Sequence, residues 1–396
     1  MDVRGGEMRA VLIGPVYPFR GGIAHYTTFL YQQLCQRHTV LLLSFSRQYP
    51  RAFFPGRTDR DPSKQALRVE ALRLLDPLNP ITWYQAFMEI RDWKADLLVI
   101  QWWIPFWAPP FATLAGLSKR LADTPVLYIC HNVVPHEAGV LDRALTKLAL
   151  RQGDFFLVHS KRDHERLSTL VPRASINQSV LPTYEPLIQG SISPEEARQS
   201  LGIPKHVPVM LFFGFIRPYK GVDILLKALA IARRTLDVRL LLVGEFWEDK
   251  QPYLDLIRDL ELSEAVLVVD RYVPNEELDL FFAASDVVVL PYKDTSQSAV
   301  VQLAFGAGKP VITTDVGGLA EIVEHGKTGH VVPPQDPDAL ADAMLEFFKQ
   351  GKPSQLRDNV LQARERFSWM HIVDVIESIA LKSKDTKPSG EKMCGQ

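Results

Sequence analysis

Short apolar runs alternate with longer amphipathic segments along most of the chain. The segments between the runs repeat their apolar positions with the period of an α-helix. This alternation predicts parallel β-sheets covered by helices, and therefore an α/β fold. In the first half the predicted strands are 10–13, 40–44, 97–100, 126–130 and 155–159, and the predicted helices are 23–36, 80–93, 111–122 and 142–151.

The same alternation starts again after a change of composition near the middle of the chain. Residues 181–204 are rich in Pro, Ser, Glu and Gln, which indicates a junction between two domains. The irregular stretch 47–73 predicts a long surface loop, with acceptor binding as an alternative role. In the second half the predicted strands are 209–213, 239–243, 266–269, 287–290 and 311–313, and the predicted helices are 221–234, 253–260, 275–284 and 299–307, with a last helix that opens at 367–369.

The length, charge and cysteine content of the chain limit the classes of protein to which it can belong. At 396 residues the chain can form two domains of ordinary size, each with its own core. The 45 basic and 46 acidic residues nearly balance, so we expect no nucleic-acid partner. Its three cysteines are widely spaced and odd in number, which favours a reducing, cytoplasmic setting over disulfides or zinc. We expect no signal peptide, and no apolar run approaches the roughly 20 residues that span a bilayer.

Two glycines follow the first predicted strand. Gly21 and Gly22 would let the backbone approach a ligand, and the helix that begins behind them favours negative charge. Arg20 would add a cation for a phosphate or carboxylate. A tight turn without a ligand explains the glycine pair equally well, because the full G-x-G-x-x-G spacing is absent.

Further polar residues follow other predicted strands. His131 and Asn132 come directly after the strand at 126–130, where a histidine can bond a sugar hydroxyl or handle a proton. Capping of the following loop is the structural alternative for this pair. Arg217 and Lys220 lie just before a predicted helix and could bind a diphosphate. The alternative is a charged loop in which Lys220 is solvated.

The block 285–324 combines two predicted strands, a polar loop and a short helix. The polar loop at 292–298 opens the helix that begins at about 299, and Gly308 caps that helix. Because loops from adjacent parallel strands meet in one crevice, the helix start would offer its N–H groups to an anion there.

In this order and spacing, the segments 18–22 (PFRGG), 130–132 (CHN) and 214–221 (GFIRPYKG) and the block 294–326 resemble the retaining glycosyltransferases of family 4, also called glycosyl transferases group 1. The resemblance implies the GT-B fold, in which two Rossmann-like, doubly wound domains face each other across a cleft. It implies an N-terminal acceptor-binding domain at 1–185, a linker at 186–204, a C-terminal nucleotide-sugar-binding domain at 205–365 and a helix at 366–382 that crosses back to the first domain. We expect the tail at 383–396 to be disordered.

The resemblance also implies roles for single residues. His131 is similar to the histidine that bonds the transferred sugar, and the family's E-x7-E motif aligns with Asp294 and Gln302. The first carboxylate of that motif touches the donor sugar and the second holds the ribose hydroxyls, so both replacements depart from the family pattern, as does Phe215 where an arginine is usual. The implied catalytic residues are His131, Arg217, Lys220 and Asp294. The implied donor-binding residues are Gly22, Gly214, Arg217, Lys220, Tyr272, Val273, Asp294, Ser296, Gln297, Ser298, Ala299, Val300 and Gln302, and the implied acceptor-binding residues are Arg20, Gly21, Gly22, His25 and Asn132.

The resemblance implies a retaining transfer from a UDP- or GDP-sugar to a glycan, a lipid-linked glycan or another hydroxyl acceptor. We expect no cofactor and no metal, because no D-x-D cluster or His/Asp ligand set is present. Two alternatives are a non-catalytic protein that binds nucleotide-sugars or glycans, and an NDP-sugar 2-epimerase of the same fold. The aromatic segment 101–111 favours core packing, with contact at a lipid or the inner membrane face as the alternative.

Overall fold

Two parallel β-sheets, one in each half of the chain, form the framework of the fold. The computed structural model describes residues 6–50, 56–134, 139–349 and 353–385. The strands of the first sheet are β1 (Arg9–Ile13), β2 (Thr39–Phe45), β3 (Leu72–Leu75), β4 (Leu97–Trp102), β5 (Val126–Cys130), β6 (Phe155–Val158) and β7 (Ser175–Gln178). Within the described residues they are arranged as β3-β2-β1-β4-β5-β6-β7, all parallel.

The second sheet repeats this plan with fewer strands. They are β8 (Val209–Phe213), β9 (Arg239–Val243), β10 (Val266–Val269), β11 (Val287–Leu290), β12 (Val311–Thr314) and β13 (Gly329–Val332). Their order is β10-β9-β8-β11-β12-β13. In both sheets the order reverses beside the first strand, and ligands of doubly wound folds bind outside the carboxyl ends of the strands at such a point. The predicted α/β class with two doubly wound units is confirmed.

Helices cover both faces of each sheet. The first half contains α1 (Gly22–Leu34), α2 (Pro80–Trp93), α3 (Ala108–Leu121), α4 (Val140–Leu150) and α5 (Lys161–Leu170). Local sequence explains where they begin: the Asn79 side chain accepts from the N–H of Ile81 at the start of α2, and Pro80 fills the first helical position. Ser160 caps α5 in the same way, by accepting from the N–H of Asp163.

The later helices include one that returns to the first domain. They are α6 (Pro194–Ser200), α7 (Val222–Ala232), α8 (Gln251–Asp259), α9 (Leu278–Ala284), α10 (Ala299–Gly306), α11 (Leu319–Ile322), α12 (Pro337–Lys349), α13 (Pro353–Ala363) and α14 (Trp369–Asp385). Helix α14 packs against α1, and the indole N–H of Trp369 donates to the carbonyl of Thr183 at 2.8 Å. The last helix therefore lies on the first domain.

The predicted junction at 186–204 is more ordered than its composition indicated. Helix α6 forms inside it and packs against α9 of the second domain. Arg198 of α6 donates two hydrogen bonds to Asp286, at 2.8 and 2.9 Å. The last part of this segment thus belongs structurally to the second domain. Of the tail predicted to be disordered, 383–385 continue α14 and 386–396 lie outside the described residues.

The aromatic segment 101–111 packs into the first domain. Trp102, Trp107 and Phe111 are fully buried there, and the rings of Trp107 and Phe111 stack with their centroids 5.4 Å apart. The packing interpretation is confirmed for these three side chains. Among the described helices, none combines the length and the apolar composition that a bilayer crossing requires.

Candidate functional site

A cleft lies between the two domains, outside the carboxyl ends of the central strands. Gly21, Gly22 and His25 line it from the first domain, and loops that follow β8, β10 and β11 line it from the second. Several predicted site residues meet in this cleft. They are Gly21, Gly22, His25, Gly214, Lys220, Tyr272, Val273, Gln297, Ser298, Ala299 and Val300.

Lys220 places a buried amine in the wall of the cleft. The residue is 8% exposed, and its Nζ lies 5.1 Å from the centroid of the Tyr292 ring. Within the described residues no carboxylate forms an ion pair with it. Burial lowers the pKa of this amine, and the nearby Arg217 adds to the effect, although Tyr219 opposes it.

The backbone around Lys220 leaves room for a ligand. Gly214 has a φ of +107°, and a Cβ at this position would lie 3.2 Å from the Lys220 amine. A side chain there would be strained and would crowd the amine. Helix α10 begins beside the same point, with the Ser298 hydroxyl accepting from the N–H of Val300 at 3.2 Å. A cation and a helix start therefore converge, which is an arrangement that favours an anion.

Arg217 does not join Lys220 in lining the cleft. Its guanidinium carbon lies 5.4 Å from the ring centroid of Tyr219 and 5.7 Å from that of Trp247. In this structure the predicted pair consists of one amine in the cleft lining and one guanidinium stacked on aromatic rings, and the diphosphate-binding role of the pair stays a prediction. The rings hold Arg217 because a guanidinium stacks well on aromatic faces.

The two residues aligned with the E-x7-E motif also face away from the cleft. Asp294 pairs with Arg162 of the first domain, and Gln302 is fully buried with no protein partner for its amide oxygen or nitrogen. The side chains that line the cleft instead are Thr295 and Leu303, one residue later in each case. Gln302 and Leu303 lie in α10, where successive residues are turned by about 100° around the axis, so their side chains point in different directions.

His131 contributes its backbone, not its ring, to the cleft region. The ring Nε2 lies 2.5 Å from Oε1 of Gln101, and the ring packs edge-on against Tyr26 with centroids 4.6 Å apart. Burial lowers the pKa of His131 well below its usual value, and His159 adds to the shift. The imidazole is therefore neutral at physiological pH. Its carbonyl accepts from the Gln297 amide at 3.2 Å, across the domain interface.

Asn132 and Ser296 bond to each other across the same interface. The Ser296 hydroxyl lies 3.3 Å from Oδ1 of Asn132 and 3.3 Å from Oδ1 of Asp163. Asp163 is fully buried, and burial raises the pKa of its carboxyl. The sequence predicted an acceptor-binding role for Asn132 and a donor-binding role for Ser296, but neither side chain lines the cleft.

Arg20 also has a protein partner. Its guanidinium donates to both oxygens of Glu245 in the second domain, at 2.6 and 3.1 Å, and the two side chains are 3% and 2% exposed. The rings of Phe215 and Tyr272 lie 5.3 and 5.0 Å from its guanidinium carbon. In this structure Glu245 offsets the charge of Arg20, and the acceptor-binding role of Arg20 stays a prediction.

Part of the predicted long loop crosses to the second domain. We call residues 56–71 the strap. The guanidinium of Arg57 donates to Asp270 at 2.8 Å, and its backbone N–H donates to Glu245 at 2.7 Å. Farther along the strap, the hydroxyl of Ser63 accepts from the N–H of Asn275 at 2.9 Å. Residues 51–55 of the predicted loop lie outside the described residues.

His25 is the titratable side chain that the first domain presents to the cleft. Its Nε2 lies 3.9 Å from Oδ2 of Asp61 in the strap. Burial lowers the pKa of His25, while Asp61 and Asn275 raise it. In the described part of the chain, no group of three or more His, Cys, Asp or Glu side chains could hold a metal ion.

Comparison with known proteins assigns the family. The family model described as "Glycosyl transferases group 1" matches residues 193–365, and the model described as "Glycosyl transferase 4-like domain" matches residues 21–182. The chain belongs to the group 1 glycosyl transferases. The family resemblance stated from the motifs is confirmed, and the two matches together span most of both domains.

Curated relatives of this family match part of the chain. A D-inositol 3-phosphate glycosyltransferase of Corynebacterium diphtheriae is 33% identical over 193 residues, covering 47% of this chain and 45% of that protein. The protein of the same name from Corynebacterium glutamicum is 29% identical over 218 residues, covering 53% of this chain and 50% of its own length. The chain therefore spans about half the length of the curated relatives that it matches.

Solved structures match nearly all of the chain. Sucrose-phosphate synthase from Thermosynechococcus elongatus superimposes with a TM-score of 0.73 and 21% identity, over 96% of this chain and all of that one. Anabaena HepE in complex with UDP and glucose superimposes with a TM-score of 0.72 and 20% identity, over 95% of this chain and all of that one. These likenesses confirm the GT-B fold for this member of the family.

Sequence reasoning missed some of the residues that line the cleft. Glu245 follows β9 as Gly214 follows β8, so its place after a central strand could have indicated it. Tyr184 and Leu187 lie in the predicted domain junction, where a polar composition gives no sign of a ligand pocket. Thr295 and Leu303 also line the cleft, each one residue after a position that the motif indicated.

Proposed function

We propose that the protein is a retaining glycosyltransferase that moves a sugar from a nucleotide-sugar to an acceptor hydroxyl. The observation that carries this proposal is the Lys220 amine, which is buried in the cleft and forms no ion pair with any described carboxylate. A buried charge without a partner is costly, so such a site favours an anionic ligand that completes it. The diphosphate of a nucleotide-sugar is an anion of the right charge.

The donor lies across the centre of the cleft in this proposal. Its diphosphate contacts Lys220 and the first turn of α10, where Gly214 allows close approach. Support for the donor class comes from Anabaena HepE, whose structures are described as complexes with UDP and with UDP-glucose. UDP- and GDP-sugars are accordingly the donors to test first.

The transfer retains configuration through attack on the same face from which the leaving group departs. The bond from the anomeric carbon to the diphosphate oxygen breaks, and a bond from that carbon to the acceptor oxygen forms. The acceptor proton passes to the departing diphosphate, which leaves as the nucleoside diphosphate. This route suits the cleft because Glu245, the carboxylate among its described lining residues, is already paired with Arg20. The protein supplies positioning and the charge of Lys220.

Lys220 and the α10 start supply the positive potential that the leaving diphosphate needs. We therefore expect transfer to proceed without a metal ion or an organic cofactor. Unchanged initial rates after treatment with EDTA would support this expectation. Loss of activity on chelation, restored by added Mg²⁺ or Mn²⁺, would contradict it.

The acceptor is a glycan or a lipid-linked glycan in this proposal. It enters from the first domain, beside Gly21, Gly22 and His25. Apolar side chains are exposed at the start of α2, where Ile81 and Tyr84 are 68% and 57% exposed, and at the start of α4, where Val140 is 88% exposed. These residues support a peripheral contact of a cytoplasmic enzyme with a membrane that carries the acceptor.

A binding protein without catalysis is the second candidate. Asp294 and Gln302, the residues aligned with the two motif glutamates, do not line the cleft, whereas Thr295 and Leu303 do, so fewer charged groups are available to orient a donor sugar. The two candidates differ in whether the anomeric bond is broken. Slow hydrolysis of a nucleotide-sugar without acceptor shows catalysis, whereas tight binding without any hydrolysis indicates a binding protein.

The test combines a donor panel with one lysine variant. We expect a UDP- or GDP-sugar to raise the melting temperature, since a ligand at 100 times its Kd stabilises by about 2.7 kcal/mol. Lys220→Ala should lower donor hydrolysis or transfer by about 100-fold, because the charge on the departing diphosphate is no longer offset. Lys227→Ala, on an exposed face of α7, is the matched control and should retain full activity. Equal activity of Lys220→Ala and the wild type would overturn the proposal.

A further inference from the structure

Apolar and aromatic side chains make up much of the cleft lining. Leu187, Val273, Leu278 and Leu303 belong to it and are between 3% and 7% exposed. Its polar members include Arg271 and Asn275, and Thr295 and Gln297 in the loop that opens α10. A glycosyl group presents several hydroxyls, whereas a nucleobase presents flat apolar faces. We therefore expect the nucleoside of a bound donor to lie along the apolar residues.

The position of the diphosphate then fixes which residue meets the ribose. The diphosphate lies at Lys220 and at the first turn of α10. Leu303 follows Val300 by three residues, so it lies on the same face of the helix about 4.5 Å farther along the axis. A ribose attached to that diphosphate would therefore reach the Leu303 side chain, which lines the same cleft.

This part of the cleft lacks the group that proteins use to hold a ribose. Dinucleotide-binding folds hold the ribose hydroxyls with an Asp or Glu carboxylate. Among the described residues that line the cleft, Glu245 is the one carboxylate. Its Oε2 accepts from Arg20 at 2.6 Å, and its Oε1 accepts from Arg20 at 3.1 Å and from the Arg57 N–H at 2.7 Å. Leu303 itself offers no acceptor, so the ribose hydroxyls gain no charged partner there.

The neighbouring amide is turned away. Gln302 is fully buried, and it does not line the cleft. Its backbone carbonyl accepts from the N–H of Tyr184, which places this face of α10 against the segment that joins the domains. The side-chain amide therefore points into protein and does not take over the contact that Leu303 cannot make.

We propose that the cleft binds 2′-deoxyribonucleoside diphosphates and their sugar conjugates as readily as the ribonucleoside forms. Leu303 is the specificity-determining residue, because an apolar side chain stands where a ribose hydroxyl would need an acceptor. The inference rests on the proposed function, since it assumes a nucleoside diphosphate in this cleft. The donor class widens accordingly to include thymidine-type deoxyribonucleotide sugars.

The test measures affinities of the full chain for matched pairs that differ by one hydroxyl. UDP with dUDP and GDP with dGDP are titrated by calorimetry against the wild type and Leu303→Glu. For the wild type, the two Kd values of the pair that binds should agree within about threefold, because a solvated hydroxyl gains little on binding. Leu303→Glu should favour the ribonucleotide by about tenfold, since a carboxylate accepts charge-assisted hydrogen bonds from the ribose. Leu303→Met keeps the volume and should behave as the wild type.

Other outcomes separate failure of this inference from failure of the proposed function. A wild type that already prefers the ribonucleotide by tenfold or more would overturn the inference while leaving the proposed function intact. A Gln302→Leu variant that loses such a preference would assign ribose recognition to Gln302 and overturn the role of Leu303. If Leu303→Glu does not fold, as judged by circular dichroism, Leu303→Gln supplies a neutral acceptor in its place. Absence of binding for all four nucleotides would remove the donor assignment itself, and the inference with it.

Discussion

The amine of Lys220 is held beside an aromatic ring and away from acids, and this environment sets how the residue responds to pH. Burial lowers its pKa below the usual 10.5, and Arg217 contributes in the same direction. The protonated amine is the form that attracts a diphosphate. Because the folded pKa is lowered, this form is fully present only below the shifted pKa and is lost as the pH rises through it.

A pH series on nucleotide binding tests this description of Lys220. As the pH rises toward 10.5, the usual pKa of lysine, the affinity of the wild type for UDP should fall, because the buried amine loses its proton at a lower pH than an exposed lysine would. Lys220→Arg should show a flatter profile over the same range, since arginine stays protonated. Calorimetric Kd values at several pH values provide the measurement. Identical slopes for both proteins would show that Lys220 does not titrate in the site.

Single residues were the level at which sequence reasoning was least reliable. Gly21, Gly22, Lys220 and Val300 were placed in the cleft by simple arguments about turns, helix starts and strand ends. The same arguments placed Asp294 there, but its carboxylate bonds to Arg162 of the first domain. A polar residue after a strand has two partners within reach, a ligand and the opposite domain, and no local pattern distinguishes them.

At the level of elements, the central strands were predicted well. Of the edge strands of the two described sheets, β10 was predicted with the bounds that the structure shows, whereas β3, β7 and β13 were missed. The predicted bounds of β5, β8 and β9 agree with the structure because each is a continuous apolar run, fully or largely buried between helices. In contrast β7, with the sequence SINQ, lies at the edge of its sheet and carries no apolar run. The burial that makes a strand visible in the sequence is weakest at a sheet edge.

The turn before α7 is another element whose geometry depends on one residue. Gly221 has a φ of +68°, and a Cβ there would lie 2.0 Å from the carbonyl oxygen of Pro291, in the loop after β11. A glycine at this position lets the turn that carries Lys220 pack directly against that loop. Both loops line the candidate site, so their contact fixes the position of Lys220 relative to α10.

Replacement of Gly221 by alanine should therefore lower the free energy of unfolding by more than backbone strain alone would. We expect Gly221→Ala to lower the free energy of unfolding by about 3 kcal/mol or more, from a positive φ together with a clash against backbone. Gly326→Ala is the matched control: its φ is +72°, and nothing lies within 4 Å of the added Cβ. Strain alone should cost the control about 1–2 kcal/mol. Urea unfolding of both variants measures the difference. Equal losses in the free energy of unfolding would show that the loop at Pro291 moves away from the added Cβ without loss of stability.

At the level of the whole molecule, the two domains are held together by polar contacts that surround the cleft. The Gln297 amide donates to the carbonyl of His131 at 3.2 Å, and Glu321 accepts from the N–H of Lys161 at 3.0 Å. The strap adds contacts from the first domain to the rim of the second. Such long-range pairs join residues more than a hundred positions apart, so the sequence could predict a cleft but not which polar groups close it.

Among the described residues, the Arg20–Glu245 pair is the most buried ion pair between the domains, and its loss should loosen the contact between them. Arg20→Ala leaves a buried carboxylate without its partner, which costs about 3–5 kcal/mol where the structure cannot relax. Separation of the domains would return water to Glu245 at a smaller cost, so we expect a larger radius of gyration in small-angle scattering and faster proteolysis of the strap. Arg37→Ala is the control, because its pair with Asp374 is 44% and 57% exposed and a solvent-exposed ion pair adds little to stability. The double variant Arg20→Leu with Glu245→Leu removes both charges and should recover most of the compactness. A compact and fully stable Arg20→Ala protein would show that this pair does not hold the cleft closed.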